Sequence, residues 1–290
     1  MMKQSLNEDV KTAELQIFIE RGLEEDVGSG DHTSQACVSA HQTSKAHLLV
    51  KQDCVLAGVV VAKEMLRHVD SKAQIHTLME DGQEAKPGDV VLEVEMNTRA
   101  LLKIERLLLN TIQRMCGIAT MSRQYAGAVR HYDVKVLDTR KTTPQMRFLE
   151  KAAVSIGGCT NYRDGLYDRI MIKDNHIEAA GSMREALHQV KDYLQDKNLE
   201  LEITVEVRNF KELEEAMKVG GFNRIMLDNF SIAEMHEAVS YVDGRYEVEA
   251  SGGITLEDLE KIARTGVNFI SVGALTHGVK ARDLSLKIIG

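Results

Sequence analysis

Residues 134–177, VKVLDTRKTTPQMRFLEKAAVSIGGCTNYRDGLYDRIMIKDNHI, run from one apolar strand to the next. VKVLD is a short β-branched run that ends in a polar cluster, and DRIMIKDN repeats the design. Asp138, Thr139, Arg140 and Lys141, and later Lys173, Asp174 and Asn175, are therefore expected just past strand ends. In parallel α/β folds that rim is where ligands bind. Arg140, Lys141, Arg147, Lys151, Arg163, Arg169 and Lys173 crowd this one connection in a chain of formal net charge −8. Such a concentration suggests a pocket for a small polyanion: phosphate, pyrophosphate or carboxylate. A solvated helix bearing ion pairs is the alternative. It is preferred for Arg147 and Lys151, which fall on the helical segment; binding is preferred for Arg140, Lys141 and Lys173.

Beyond residue 130 the same grammar repeats. Strands are expected near 134–138, 168–173, 201–207, 224–228, 246–250 and 267–272, separated by helical text such as SMREALHQVKDYL, NFKELEEAMKVG, SIAEMHEAVSYV and TLEDLEKIARTG. Consecutive βα units imply a parallel sheet, and the architecture expected is an open (β/α) TIM-like barrel of about six to seven strands. Its strand ends carry Arg140 and Lys141, Lys173, Glu206, Asp228 with Asn229, Ser251-Gly252-Gly253, and Gly273. Polar ends converging on one rim make a site. ASGGI (250–254) and SVGAL (271–275) end the last two strands, where barrels bind phosphate through backbone N–H groups and a following helix. Each glycine motif alone could simply turn strand into helix; both together, beside Ser251 and Ser271, favour phosphate. Glu206 and Asp228 suit ribose hydroxyls or a hydrated Mg²⁺, though they could also only balance Lys173 and Arg140.

Before the barrel, residues 13–26 read as an amphipathic helix followed by the loop GSGDHTS. That loop follows no strand and lacks a GK[ST] ending, so it is a poor P-loop. From 45 to 98 the chain reads as short strands and tight turns: AHLLVK, VLAGVVVA, AQIHTLME and VVLEVEM. Residues 99–130 form a helix whose apolar stripe is wide enough for two packing partners. The expected division is an amino-terminal α/β sandwich-like domain, 1–115, joined by the segment 279–290, and a barrel domain, 116–278. The 290 residues, 43% hydrophobic and 28% charged, describe an ordinary soluble protein. An acidic balance without an extended basic face argues against nucleic acid as a partner. The absence of a signal-like or membrane-length apolar run points to the cytoplasm. Cys37, Cys54, Cys116 and Cys159 lack metal spacing and are expected as reduced, mostly buried thiols, and the histidines form no HExxH pair.

These strings carry a resemblance. DTRKTTP (138–144), Leu149-Glu150-Lys151, Gly157-Gly158, Asn161, Arg163, Gly165-Leu166-Tyr167-Asp168 and IKDNHI (172–177) closely resemble the quinolinate phosphoribosyltransferase family. EDVGSGDHTS (25–34), Glu105-Arg106 with Leu109-Asn110, and Gly117-Ile118-Ala119-Thr120 match further strings of that family, although Cys116 stands where serine is usual. The resemblance implies transfer of phosphoribosyl from PRPP to quinolinate with decarboxylation, giving nicotinate mononucleotide. It implies catalytic roles for Lys141, Glu206 and Asp228. It places quinolinate on Arg106, Arg140, Tyr162, Arg163 and Lys173. PRPP is placed on Lys141, Glu206, Asp228, Ser251, Gly252, Gly253, Gly273 and His277. Mg²⁺ is implied at Glu206 and Asp228, directly or through water, with no organic cofactor. A homodimer is implied in which Arg106 reaches the neighbouring subunit's site, with a higher homo-oligomer left open.

The chain departs from the family pattern in three places: KTTPQMR where KTTPGLR is common, Cys159 where a third glycine is common, and Tyr162 where histidine is common. Tyrosine keeps a hydroxyl donor but cannot become a cation. Tyr162 is therefore expected to weaken or alter recognition of the pyridine acid, and histidine at 162 is expected to raise kcat/KM for quinolinate. Two alternatives follow: a related phosphoribosyltransferase for a different aromatic acid or base, or a weakly active metabolite-binding homologue.

Overall fold

The computed structural model describes residues 8–289. In chain order the elements are α1 (Glu8–Val27), α2 (His32–Cys37), β1 (Thr43–Val50), β2 (Cys54–Val55), α3 (Val59–Val69), β3 (Gln74–Thr77), β4 (Glu84–Ala85), β5 (Val90–Asn97) and α4 (Thr98–Ala128). The second half follows with β6 (Lys135–Leu137), α5 (Arg147–Gly157), β7 (Ile170–Ile172), α6 (Asp174–Ala180), α7 (Met183–Lys197), β8 (Ile203–Val207) and α8 (Phe210–Val219). It closes with β9 (Arg224–Asp228), α9 (Ile232–Val242), β10 (Glu247–Ser251), α10 (Leu259–Ala263), β11 (Phe269–Ser271), α11 (Ala274–His277) and β12 (Leu284–Ile289). No helix among the described residues is long and apolar enough to cross a membrane.

Two compact units result. The first takes the described residues up to Met121, then Thr143–Gly157 and the stretch from Val279 on. The second is Ser122–Thr142 with Gly158–Gly278. The segment 143–157, assigned from sequence to the barrel domain, thus clusters with the first unit.

In the first unit an antiparallel sheet has the order β12-β1-β5-β3. Strand β1 alternates so that Ala46, Leu48 and Val50 are buried, the period of a half-buried strand. The carboxy-terminal strand β12 pairs with β1 along Lys45–Val50, as expected of a segment packing back on this domain. Leu101, Ile104, Leu108 and Ile112 of α4 add a helical stripe to the same core.

Two expectations fail in this unit. VLAGVVVA, read as a strand for its β-branched residues, instead opens helix α3. Its Val59, Ala62, Met65 and Leu66 repeat at helical spacing into the core. The helix start is satisfied from a distance in sequence: Asp81 accepts from the Val59 N–H at 2.8 Å. Tertiary burial and a remote cap override local β propensity. Lys151, read as part of a solvated face, is 3% exposed, and its neighbour Glu150 is wholly buried and accepts from Arg114 Nε at 2.6 Å. The GSGDHTS loop also shortens, because Asp31 caps α2 by accepting from the Ser34 N–H.

The second unit is the expected parallel sheet, of order β6-β11-β10-β9-β8-β7. Strands β6 and β7 are its edges, and Thr160 adds a one-residue parallel bridge to Leu137 on β6. Ser182, Asn209 and Ser231 cap the intervening helices with their side chains, which is why each helix begins there.

Candidate active site

Because the six strands are parallel, their carboxyl ends share one rim of the second unit. Lys141 follows β6, and its backbone oxygen accepts from Thr276 Oγ1 at 2.8 Å. That bond ties the Lys141 loop to α11. Gly273, at the start of α11, lies close to both Lys141 and His277: a Cβ there would come within 3.0 Å of Lys141 Cδ and 3.1 Å of His277 Nε2. A side chain there would press Lys141 and His277 back by a few tenths of an ångström, so glycine leaves both where they stand. Across the sheet, Lys173 pairs with the buried Glu206 at the end of β8. Asp228 ends β9 and accepts from Asn229 Nδ2 at 2.9 Å. Asn229 in turn donates its backbone N–H to Ser251 O at 2.9 Å. Gly252 sits against this turn at φ +106, and a Cβ would meet Asn229 Oδ1 at 2.3 Å. The two glycine motifs, Lys141 and His277 thus form one side of the rim, and the carboxylates with Lys173 the other.

The acid-binding candidates form a third group. Arg163 Nε is buried and meets no acceptor among the described residues. Burial, and then the charge of Arg140, hold the Arg163 guanidinium below its ordinary range, with Asp168 opposing. The Arg140 charge thus stands near a guanidinium whose buried donor is unsatisfied, an arrangement suited to an anion.

The chain matches the family model "Quinolinate phosphoribosyl transferase, C-terminal domain" over residues 118–287 and the corresponding "N-terminal domain" over residues 31–116. The chain belongs to the quinolinate phosphoribosyltransferase family. It is 41% identical to the chloroplastic carboxylating nicotinate-nucleotide pyrophosphorylase of Arabidopsis thaliana over 96% of this chain and 83% of that protein. Against the probable carboxylating nicotinate-nucleotide pyrophosphorylase of Bacillus subtilis (strain 168) the identity is also 41%, over 91% of this chain and 90% of that one. The crystal structure of NadC from Streptococcus pyogenes superposes with a TM-score of 0.89 at 34% identity, covering 99% and 100% of the two chains.

Against the family's rim, the remaining expected residues separate. Arg140, Lys141, Lys173, Glu206, Asp228, Ser251, Gly252, Gly253 and Gly273 lie in the second unit at or just past strand ends, with His277 at the end of α11 and Arg163 in the segment that follows the Thr160 bridge. Arg106 lies in the first unit, on an exposed face of α4. Tyr162 is the exception in orientation. Its hydroxyl meets Thr204 Oγ1 at 2.7 Å, its N–H donates to the wholly buried Asp138 at 2.8 Å, and its ring lies under Arg224 (4.8 Å) and Arg169 (5.1 Å). The hydroxyl is committed inside the protein rather than held out as a substrate donor. Burial, then the Glu249 carboxylate, push the phenol up, while the Thr204 bond and the two guanidinium groups oppose this.

Glu206 and Asp228 are hard oxygen donors on neighbouring strands, and among the described residues no group of three or more His, Cys, Asp or Glu side chains gathers as a metal cage. Such a pair fits a hydrated Mg²⁺ that takes its other ligands from substrate phosphates. All four cysteines are free, and three are buried. Sequence reasoning missed Arg224 and Glu249. Their signal was present in the sequence: RIMLD opens on a charge and EVEAS carries one mid-strand, on neighbouring strands of a parallel sheet covered on both faces, where each must find a partner.

Proposed function

We propose that this chain transfers phosphoribosyl from PRPP to quinolinate and decarboxylates the adduct, yielding nicotinate mononucleotide, pyrophosphate and CO2. The observation that carries this reading is the Arg140 and Arg163 pair, with its buried unsatisfied donor, on the same rim as the Gly252 and Gly273 loops. A dianionic acceptor satisfies that pair. The glycine loops take the 5-phosphate through backbone N–H groups, and Glu206 and Asp228 face the ribose hydroxyls. Mg²⁺, which belongs to the proposal, would be held at Glu206 and Asp228 with the pyrophosphate and would neutralise the leaving group's charge.

Departure of pyrophosphate breaks the C1–O bond and leaves an oxocarbenium-like C1. Positioning and electrostatics then supply most of the catalysis, without a nucleophilic side chain. Lys141, held beside Gly273 and His277 by the bond from Thr276, supplies positive charge near the departing oxygens. The quinolinate nitrogen donates its lone pair to C1, forming a pyridinium. The 2-carboxylate then leaves as CO2, its bonding electrons stay at C2 beside the positive nitrogen, and a proton from solvent completes the product. Lys173, paired with Glu206, would hold a carboxylate of the acceptor through these steps.

Two further parts belong to the same proposal. The exposure of Arg106 on α4 supports a homodimer in which it completes the neighbour's acid site. Free thiols support a cytoplasmic location, which fractionation of the native source would check. The central test is incubation of the purified protein with PRPP and Mg²⁺, with quinolinate or nicotinate as acceptor. Nicotinate mononucleotide with equimolar CO2 from quinolinate alone is the expected result. Product from nicotinate, or none from quinolinate in protein that binds PRPP, would overturn the assignment of the acceptor.

A further inference from the structure

Beneath the rim lies a charged cluster that the chemistry above does not use. Arg224, 5% exposed, opens β9 and donates from Nε and Nη2 to Glu247 at 3.1 and 2.9 Å and from Nη1 to Glu249 at 3.1 Å. Its guanidinium lies 3.7 Å from the Phe269 ring centroid and 4.8 Å from that of Tyr162. Glu249, wholly buried in β10, accepts on its other oxygen from Ser271 Oγ at 2.5 Å. Burial opposes charge on Arg224, but Tyr162, Glu249 and the bonds to both glutamates outweigh it and hold the guanidinium above its ordinary range. A buried charge group in this form is costly unless every member is paired, and here each is.

Its connections are directional. Ser271 ends β11, two residues before Gly273 on the phosphate side. Tyr162 belongs to the segment beside the β6 edge, yet its hydroxyl meets Thr204 on β8, next to the opposite edge strand β7. The phenol therefore spans the two sides of the sheet that no strand ladder joins, and Arg169, just before β7, lies over the same ring. The residue after Tyr162 is Arg163, whose buried Nε has no acceptor among the described residues.

We propose that Arg224 and Glu249 are positioning residues for the acceptor: Glu249 fixes Arg224, Arg224 fixes the Tyr162 ring, and the ring fixes the backbone that presents Arg163. This rests on the quinolinate reading, and deepens it by naming what sets the acid subsite. Planarity is essential, because one flat cation must face two rings and two carboxylates together, which an ammonium cannot do.

The test uses full-length Arg224→Met/Glu249→Gln. It removes both charges together, so neither is left alone in the interior, and glutamine still accepts from Ser271. Steady-state kinetics, calorimetric binding of quinolinate and thermal melts are read for wild type, the double variant and Arg224→Lys. The expected result is a rise of about tenfold in KM and in the quinolinate dissociation constant, with KM for PRPP within about twofold of wild type. Arg224→Lys, which keeps charge but not the planar face, should still fold, melt somewhat lower, and show a smaller rise for quinolinate with KM for PRPP within about twofold of wild type. The inference is overturned if quinolinate binding is unchanged in the folded double variant, or if both KM values move together with a lowered melting temperature. If the double variant does not fold, Arg224→Lys decides by the same criteria. Wild type that makes no nicotinate mononucleotide would instead overturn the transfer reading, and the calorimetric comparison would still test the positioning role.

Discussion

Gly252→Ala tests the phosphate side most directly. The new Cβ would lie 2.3 Å from Asn229 Oδ1 and 2.8 Å from the Asn229 backbone nitrogen, at a φ of +106. The side-chain oxygen could rotate away only by disturbing the Asn229 contact with Asp228, and the backbone nitrogen is fixed by its bond to Ser251 O. The turn itself must therefore move. Backbone strain at such a φ costs about 1–3 kcal/mol. A displaced N–H that no longer reaches the phosphate forfeits a charge-assisted bond worth about 1.5–3 kcal/mol, or roughly ten- to hundredfold in kcat/KM for PRPP. Gly244→Ala separates the two effects. Gly244 has φ +68 in the turn before β10 with nothing within 4 Å of its Cβ position, so that variant carries strain without a clash. Initial rates over a PRPP series and thermal melts are compared for both variants. Gly252→Ala should lose PRPP efficiency and melt several degrees lower; Gly244→Ala should melt slightly lower with unchanged kinetics. PRPP efficiency of Gly252→Ala within about twofold of wild type would refute the placement of the phosphate on this turn.

Three further outcomes follow from particular groups. Mixing Arg106→Ala with Lys141→Ala should restore part of the activity through hybrid sites, read as rate against mixing ratio; no recovery after demonstrated subunit exchange would remove Arg106 from the neighbour's site. Burial pushes the Cys159 thiol up from 9.0 to about 12, so the unfolded chain releases that proton first as pH rises. Between those values the folded state loses about 1.4 kcal/mol per pH unit from this group, and Cys159→Ala should flatten the fall in denaturant-measured stability above pH 9. Tyr162→His reverses the sign expected from sequence. Imidazolium beside Arg224 and Arg169 is disfavoured, so the variant should show no gain in kcat/KM for quinolinate at neutral pH, and a clear gain would argue against those cations facing the ring.

The sequence by itself determined the parallel βα unit, its strand ends and the residues at them. Alternation of apolar strand and amphipathic helix is a local, periodic property, and parallel strands deliver their carboxyl ends to one side whatever the details of packing. The family strings DTRKTTP and IKDNHI were legible for the same reason: they are contiguous. What tertiary structure decided was each matter of partnership. VLAGVVVA became the start of a helix because Asp81 caps it and the core of the first unit receives its face. Lys151 is buried, and Thr143–Gly157 clusters with the first unit, although a helix after β6 reads from sequence as part of the barrel. The hydroxyl of Tyr162 turned inward because Thr204, 42 residues away, and Arg224 stand where it can satisfy both polarity and packing. Local pattern fixes which face a residue occupies; only the assembled interior fixes which charge or hydroxyl waits there, because a buried polar group takes the partner the fold supplies, at any distance along the chain.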